Sequence, residues 1–357
     1  MASVRTRLQL ALVEVWQERG PIAWLLSPLS VLHYLGYSAR RALYALAFLR
    51  RTRLDVPVVV IGNLYVGGTG KTPLTIELVR ALAARGWHPG VVSRGYGGDG
   101  ATARMVRPED AAREVGDEPL LIARATRLPV AVARNRAAAA HLIRARHPEC
   151  DVIVADDGLQ HWPLARDMEI ALLHYRGLGN GWLLPAGPLR EPQGRLDEVD
   201  AIVCNGEVPA IRASATRYAM RARLGEARPL QDAPAGQALE AMAAEQQREK
   251  WRIVAAAGIG MPDRFFAMLR ASGLVIEELP LADHFDFVAN PFSGIVADRI
   301  LITEKDAVKC VANPALAGDA RIWVVPLATE IDPRLVDAVA TRLQNISRRT
   351  ALGPSAA

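Results

Sequence analysis

A chain of 357 residues, half of them hydrophobic and 23% charged, can bury a core of more than one domain, which excludes a disordered or collagen-like protein. Cys150, Cys204 and Cys310 are too few and too scattered for a disulfide framework or a Cys-x-x-Cys zinc site, as expected in a reducing, cytoplasmic compartment. The net charge of +5 is concentrated: residues 1–53 hold eight arginines against Glu14 and Glu18, leaving the remainder close to neutral. Such a distribution argues against a nucleic-acid-binding body and favours an anionic membrane surface as the partner of the N-terminal arm.

Residues 20–39 carry no formal charge and are strongly apolar, but Ser27, Pro28, Ser30 and His33 interrupt them, which makes a poor spanning helix. Trp24, Tyr34 and Tyr37 suit a membrane interface, and Arg40, Arg41, Arg50 and Arg51 would meet headgroups on the cytoplasmic side. Residues 1–53 therefore read as a membrane-associated helical arm; an ordinary amphipathic helix packed on the protein is the alternative. No short apolar core precedes a small-residue cleavage pattern, so no signal peptide is expected.

From Val58 onward strand-like and helix-like segments alternate, the pattern of an α/β fold. Strands are predicted at 58–61, 90–92, 129–132, 152–155 and 168–173, with helices at 72–85, 118–125 and 135–146. A proline- and glycine-rich passage at 184–194 interrupts the rhythm. A second series follows, with strands near 200–203, 252–256, 299–302 and 321–325 and helices near 262–272 and 331–345; residues 226–250 give no clear pattern. The expected division is a P-loop NTPase-like parallel-sheet domain over 54–176, a connector over 177–198, a second, smaller α/β domain over 199–346 and a tail over 347–357.

Residues 58–72 carry the strongest chemical signal. A β-branched run, Val58-Val59-Val60-Ile61, leads into the turn Tyr65-Val66-Gly67-Gly68-Thr69-Gly70-Lys71-Thr72, and a helical pattern follows. Glycines let backbone N–H groups point at phosphate oxygens, and the helix N-terminus adds positive potential. Lys71 would neutralise the β/γ-phosphates of a nucleotide and Thr72 would hold Mg²⁺. The consensus has Gly where this chain has Tyr65. The only lysines are Lys71, Lys250, Lys305 and Lys309, so in an arginine-rich chain Lys71 marks a site that needs a compact point charge.

Asp156 and Asp157 end the run Val152-Ile153-Val154-Ala155, where a phosphate-loop protein holds Mg²⁺; a pair of turn-forming aspartates before Gly158 is the other reading. Asp117 in Gly116-Asp117-Glu118-Pro119 is a helix N-cap on spacing alone, or a functional carboxylate. His284 is a base or a surface loop residue.

Together these segments resemble a family. The turn at 65–73, Ser93-Arg94-Gly95-Tyr96-Gly97-Gly98, Gly116-Asp117-Glu118-Pro119, Asp156-Asp157-Gly158-Leu159-Gln160-His161, the passage at 184–191, Ala257-Gly258-Ile259-Gly260 with Pro262, Asp283-His284 and the segment 303–309 occur in the order found in tetraacyldisaccharide 4'-kinase, the membrane-bound lipid A kinase of Gram-negative bacteria. The resemblance covers roughly 56–326, and the apolar arm fits it. It implies transfer of the ATP γ-phosphoryl group to the 4'-hydroxyl of a tetraacyldisaccharide 1-phosphate at the cytoplasmic face of the inner membrane, giving lipid IV-A. By resemblance Asp117 is the base, oriented by His284. Lys71 stabilises charge on the transferring group, and Thr72, Glu118 and Asp157, with Asp156 nearby, form the Mg²⁺ shell. Arg136, Arg190 and Glu191 are candidates for binding the anionic sugar head or the nucleotide phosphates.

Two other readings compete. A partitioning-type ATPase switch would place a lysine where Val66 stands, and a GTPase would read guanine with Asn-Lys-x-Asp, which Thr303-Glu304-Lys305-Asp306 does not match. A kinase for a soluble small molecule would use the N-terminal helix structurally.

Overall fold

The computed structural model describes residues 14–95, 102–231 and 236–351. Helix α1 (Pro21–Ala45) leads to β1 (Val58–Gly62), α2 (Lys71–Ala83), β2 (Pro89–Ser93) and β3 (Arg104–Met105). Then come α3 (Ala112–Val115), α4 (Asp117–Thr126), β4 (Val130–Val132), α5 (Arg136–Arg146), β5 (Val152–Ala155) and β6 (Met168–His174). After a 3₁₀ turn, β7 (Ala201–Asn205) and β8 (Thr216–Leu224) follow. The later elements are β9 (Arg228–Pro229), α6 (Leu239–Glu249), β10 (Ile253–Ala257), α7 (Pro262–Ala271), β11 (Ile276–Pro280) and β12 (Arg299–Thr303). The series ends with α8 (Glu304–Cys310), α9 (Pro314–Ala317), β13 (Ile322–Val325), β14 (Leu327–Ile331) and α10 (Pro333–Ala351).

Two sheets result. A nine-stranded sheet runs β14-β8-β7-β6-β1-β5-β2-β4-β3, parallel throughout except at its two edges, where β14 and β3 are antiparallel. A five-stranded sheet runs β11-β10-β12-β13-β9, parallel except for β9. β1 sits centrally between β5 and β6 and is buried at every position, which is why its sequence is an unbroken β-branched run without alternation. Leu74, Leu78, Val79 and Leu82 of α2 are fully buried beside it, the face expected from their spacing.

The expected boundary at 199 does not match the sheet division. β7, β8 and β14 belong to the large sheet, so the second sheet occupies only 228–325, and α10 returns to pack Leu335, Val339 and Leu343 into the first core. Local patterning identifies a strand but not its pairing partner, and β7 pairs with β6. The stretch 177–198 is not a linker between domains either; it packs against α1 and the turn after β1. The chain crosses between sheets twice, at 225–227 and at Pro326, and the crossings are tied by Gly225 N–H donating to Pro326 O (2.9 Å). The expected tail at 347–357 begins inside α10; residues 352–357, like Tyr96-Gly97-Gly98, lie outside the described residues.

Helix α1 is inverted relative to an ordinary surface helix. Only Ala23 and Ser30 are buried, while Trp24, Leu25, Leu29, Leu32 and Leu35 are each more than half exposed. Polar groups face the protein instead. Ser30 Oγ donates to Leu183 O (2.8 Å) and accepts from Ala186 N (3.0 Å), and His33 Nε2 meets Arg190 O (3.0 Å). Pro28 supplies no N–H to the Trp24 carbonyl one turn back, and Ser27 Oγ donates to that oxygen in its place (2.8 Å). Among the described residues no helix is long and apolar enough to cross a membrane.

Gly62, at the exit of β1, tests the packing beneath the site. A Cβ there would lie 2.7 Å from Leu159 Cγ and 3.0 Å from Leu159 N, and backbone cannot yield as a flexible side-chain tip does. Gly62→Ala is expected to lower unfolding free energy by about 1–3 kcal/mol in urea titrations; an unchanged midpoint would mean that the Asp157–Leu159 loop yields freely.

Candidate active site

The turn after β1 reaches α2 through Gly67 (φ +107°) and Gly70 (φ +100°), conformations that side-chain-bearing residues rarely adopt. Tyr65 is not in that region, so the first position of this turn does not require glycine. Its buried ring meets His174 edge-on (4.7 Å) and its hydroxyl accepts from Gln17 (3.3 Å). Asn63 Nδ2 donates to Thr69 Oγ1 (2.9 Å), and Asn205 Nδ2, from the end of β7, donates to Thr69 O (3.0 Å). Lys71 is buried, donates to Asn63 Oδ1 (3.2 Å) and Gly67 O (3.4 Å), and lies 3.5 Å from Asp157 Oδ1. Thr72 is buried beside it. A Cβ on Gly260 would sit 3.1 Å from Gly68 N, so the second domain's Gly258-Ile259-Gly260 loop closes directly on the turn.

At the end of β5, Asp156 is fully buried, accepting from Thr75 Oγ1 (2.8 Å) on one oxygen and from nothing on the other. Burial, aided by the nearby Glu118 and Asp157 charges, pushes its pKa up. Asp157 has positive φ and faces Lys71 and Arg190 (3.3 Å). Burial opposes its ionisation, but Lys71, Arg190 and Arg136 outweigh that and lower its pKa. Arg136 donates to Asp157 O (2.7 Å); its Nε has no partner, and burial brings its pKa down to about 10. Arg190 also donates to Gln160 Oε1 (3.3 Å).

Glu191 stands one shell back from this group. Almost fully buried, it accepts from Gln160 (3.0 Å) and pairs with Arg195 (3.2 Å), which also holds Glu169 (2.5 Å). It therefore reaches the cleft only through Gln160 and Arg190.

Across the cleft, α4 begins at Asp117, whose Oδ1 accepts from Glu118 N (3.0 Å) and whose Oδ2 faces the second domain. There it meets His284 Nδ1 (3.0 Å), Lys309 Nζ (3.6 Å) and Lys305 Nζ (3.9 Å). Because an ionised carboxylate only accepts, Nδ1 carries the proton of that hydrogen bond. Burial alone would raise the Asp117 pKa, but His284 and the lysines overcome it and lower it to about 2; reciprocally, Asp117 raises that of His284. Glu118 pairs with Lys305 (3.1 Å). Burial disfavours the Lys305 ammonium, yet Glu118 and Asp117 more than reverse this.

A cleft of about 540 Å³ lies between the domains, lined by Gly68 to Thr72, Glu118, Asn205, Ile259 to Met261, Arg264 and Thr303 to Lys305, with Ile76, Leu121, Phe265 and Met268 at an apolar end. Of the sequence-predicted residues, Gly68, Thr69, Gly70, Lys71, Thr72 and Glu118 line it and Tyr65, Val66 and Gly67 do not; Asp156 and Asp157 stand behind Lys71. Asp117 and His284 line a neighbouring cavity of about 420 Å³. Among the described residues no three His, Cys, Asp or Glu side chains form a metal cluster. That is compatible with Mg²⁺, which usually takes one or two carboxylates with substrate phosphates and water, and the orphaned, buried Asp156 oxygen is a donor suited to a cation.

Sequence reading passed over Asn63, Asn205, Thr75 and Arg195, which carry no local pattern, and gave Lys305 and Lys309 no role. Their rarity was the available signal: of the four lysines, Lys71 and Lys305 line this cleft and Lys309 lines the neighbouring cavity. The arrangement can cradle an anionic polyphosphate at one wall and present a carboxylate–imidazole pair at the other.

A family model described as tetraacyldisaccharide-1-P 4'-kinase matches residues 22–344. A tetraacyldisaccharide 4'-kinase from Herminiimonas arsenicoxydans is 48% identical over 352 residues, covering 97% of this chain and 99% of that one. A tetraacyldisaccharide 4'-kinase from Bordetella petrii is 47% identical over 349 residues, covering 92% and 94%. Among solved structures, that of the "apo" form of LpxK from Aquifex aeolicus in complex with ATP matches with a TM-score of 0.73 at 26% identity, over 90% of this chain and 99% of that one. The chain belongs to the tetraacyldisaccharide-1-P 4'-kinase family.

Arg195 balances Glu169, Glu191 and Glu198 at once. Arg195→Met strands buried carboxylates and is expected to cost about 3–5 kcal/mol in urea unfolding; a loss below about 1 kcal/mol would show that the acids find other partners.

Proposed function

We propose that the chain is an ATP-dependent kinase of lipid A biosynthesis, transferring the γ-phosphoryl group to the 4'-hydroxyl of tetraacyldisaccharide 1-phosphate. The observation that carries the residue roles is the Asp117–His284 pair, which spans the two domains beside the cleft lined by Lys71. The β1 turn and the start of α2 act as a phosphate loop of the P-loop NTPase kind, with Gly67 to Gly70 presenting N–H groups and Lys71 compensating the developing charge. Ile76, Leu121, Phe265 and Met268 offer the apolar end of the cleft to the base of ATP. Thr72, Glu118 and Asp157, with Asp156 behind, would hold Mg²⁺, which neutralises phosphate charge when bound.

Asp117 accepts the proton of the 4'-hydroxyl as its oxygen bonds to the γ-phosphorus and the bond to the β–γ bridging oxygen breaks, releasing ADP. A carboxylate held near pKa 2 is a weak base. The triphosphate brings several negative charges into the same cleft and competes for Lys305, which raises the basicity of Asp117 when substrate is present. His284 fixes the orientation of the carboxylate, so the pair is complete only when the domains meet, and water is then excluded from the γ-phosphate. Arg136 and Arg190 attract the anionic sugar head, with Gln160 and Glu191 holding Arg190 in place.

The exposed apolar face of α1 supports a shallow anchorage in the cytoplasmic leaflet of the inner membrane. An unpaired surface of this extent marks an interaction site, and Tyr37, Arg40 and Arg41 flank it as interface residues do.

Labelled ATP and a lipid A disaccharide 1-phosphate precursor should yield a phosphorylated lipid, and Asp117→Ala should lower kcat by about 10² to 10⁴-fold with nucleotide affinity nearly intact. Loss of ATP binding in that variant would instead make Asp117 a cap or metal ligand. Full-length protein should float with anionic vesicles, and Trp24→Ser/Leu25→Ser/Leu32→Ser should float markedly less; equal flotation would remove α1 from the anchor.

A further inference from the structure

The two lysines of α8 stand one helical turn apart and meet the same carboxylate from different sides. Lys305 lines the larger cleft beside Glu118, whereas Lys309 lines the smaller cavity with Asp117 and His284. Lys309 is only 8% exposed, and its ammonium has no hydrogen-bond partner. It lies 3.6 Å from Asp117 Oδ2 and 3.6 Å from Asp306 Oδ1, an oxygen that also lacks a hydrogen bond. The Phe287 ring lies beneath it at 5.5 Å. Burying an ammonium without a hydrogen bond is expensive, and the two carboxylates at 3.6 Å are what offset that cost here.

Asp306 cannot follow Lys309 elsewhere. Its Oδ2 accepts from Thr303 Oγ1 (2.7 Å) and Gly258 N (3.1 Å), and its own N–H donates to Thr303 Oγ1 (3.2 Å). A rigid chain of contacts therefore runs from the β10 and β12 ends through Asp306 and Lys309 to Asp117 on the other domain. A small approach of α8 toward α4 shortens the 3.6 Å Lys309–Asp117 contact into a charge-assisted hydrogen bond.

We infer that Lys309, held by Asp306, is a positioning residue that fixes the Asp117 carboxylate between the domains for proton acceptance, while Lys305 faces the nucleotide. Resting on the reading of Asp117 as the base, the inference divides two neighbouring cations by role. Lys305 can turn to a phosphate because it borders that cleft. Lys309 cannot, and it stays with Asp117 through the reaction.

The test is a double-mutant cycle on the full chain, with steady-state kinetics on ATP and the lipid precursor. Lys309→Met keeps the length of the side chain and removes its charge. It should lower kcat about 10 to 100-fold with the KM for ATP within about twofold, and Lys309→Arg should recover part of the loss. In an Asp117→Ala background the same change should cost less than about threefold, because the group it positions is gone. Lys309→Met/Asp306→Asn removes both buried charges together and guards against a folding defect; it should show the same low kcat with an unfolding midpoint near that of the parent. The inference is overturned if Lys309→Met keeps kcat within twofold, raises the KM for ATP instead, or costs the same factor with and without Asp117. If Asp117→Ala is itself fully active, the base reading falls, a result distinct from a slow Asp117→Ala beside a normal Lys309→Met.

Discussion

One carboxylate oxygen joins the two halves of this molecule. Asp117 Oδ2 belongs to the nine-stranded domain, and its three cationic or hydrogen-donating neighbours, His284, Lys305 and Lys309, all come from the five-stranded one. Lys305 also pairs with Glu118 (3.1 Å), and Arg264 donates to Asn205 Oδ1 (3.0 Å), across the neighbouring cleft. The cost of burying the Asp117 carboxylate is met only when the second domain is in place, so the electrostatics of the site and the relative position of the domains are a single constraint. The depressed pKa of Asp117 expresses that coupling.

The other wall is organised by backbone. Asn63 and Asn205 hold the glycine turn from inside and from the neighbouring strand, and Gly260 leaves room for the second domain to rest on Gly68. Behind Lys71 the two aspartates at the end of β5 are split by surroundings rather than by type. Asp156 has a lone hydroxyl partner and is pushed toward neutrality, whereas Asp157 has two cations and stays charged. Adjacent, chemically identical groups thereby acquire opposite habits, the usual sign that a site has been shaped around charge.

Much of this was legible in sequence where a local rule applied. The run at Val58 needed only its β-branched composition to read as a strand buried on both faces, and the glycines and Lys71 needed only their spacing. Asp117 and His284 were linked only through the family resemblance, since neither spacing nor residue type distinguished a helix cap and a loop histidine from the hydrogen-bonded pair they form. β8 escaped because its arginines alternate with half-buried positions on a strand next to the edge of the sheet, so burial, not composition, defines it. The expected domain boundary departs from the sheet division for a topological reason: β7 read as the first strand of a later unit, and β8 and β14 were not read as strands at all, yet hydrogen bonding places all three in the first sheet. Glu191 looked like a ligand beside Arg190, and only three-dimensional packing reveals that it faces Arg195.

Helix α1 has a colloidal consequence. Proteins stay dispersed in water by turning charge outward, and this helix turns aliphatic and indole groups outward while its hydroxyl and imidazole groups are spent on the body. That strip leaves aliphatic and indole surface in contact with solvent that neither charge nor hydrogen bonding covers.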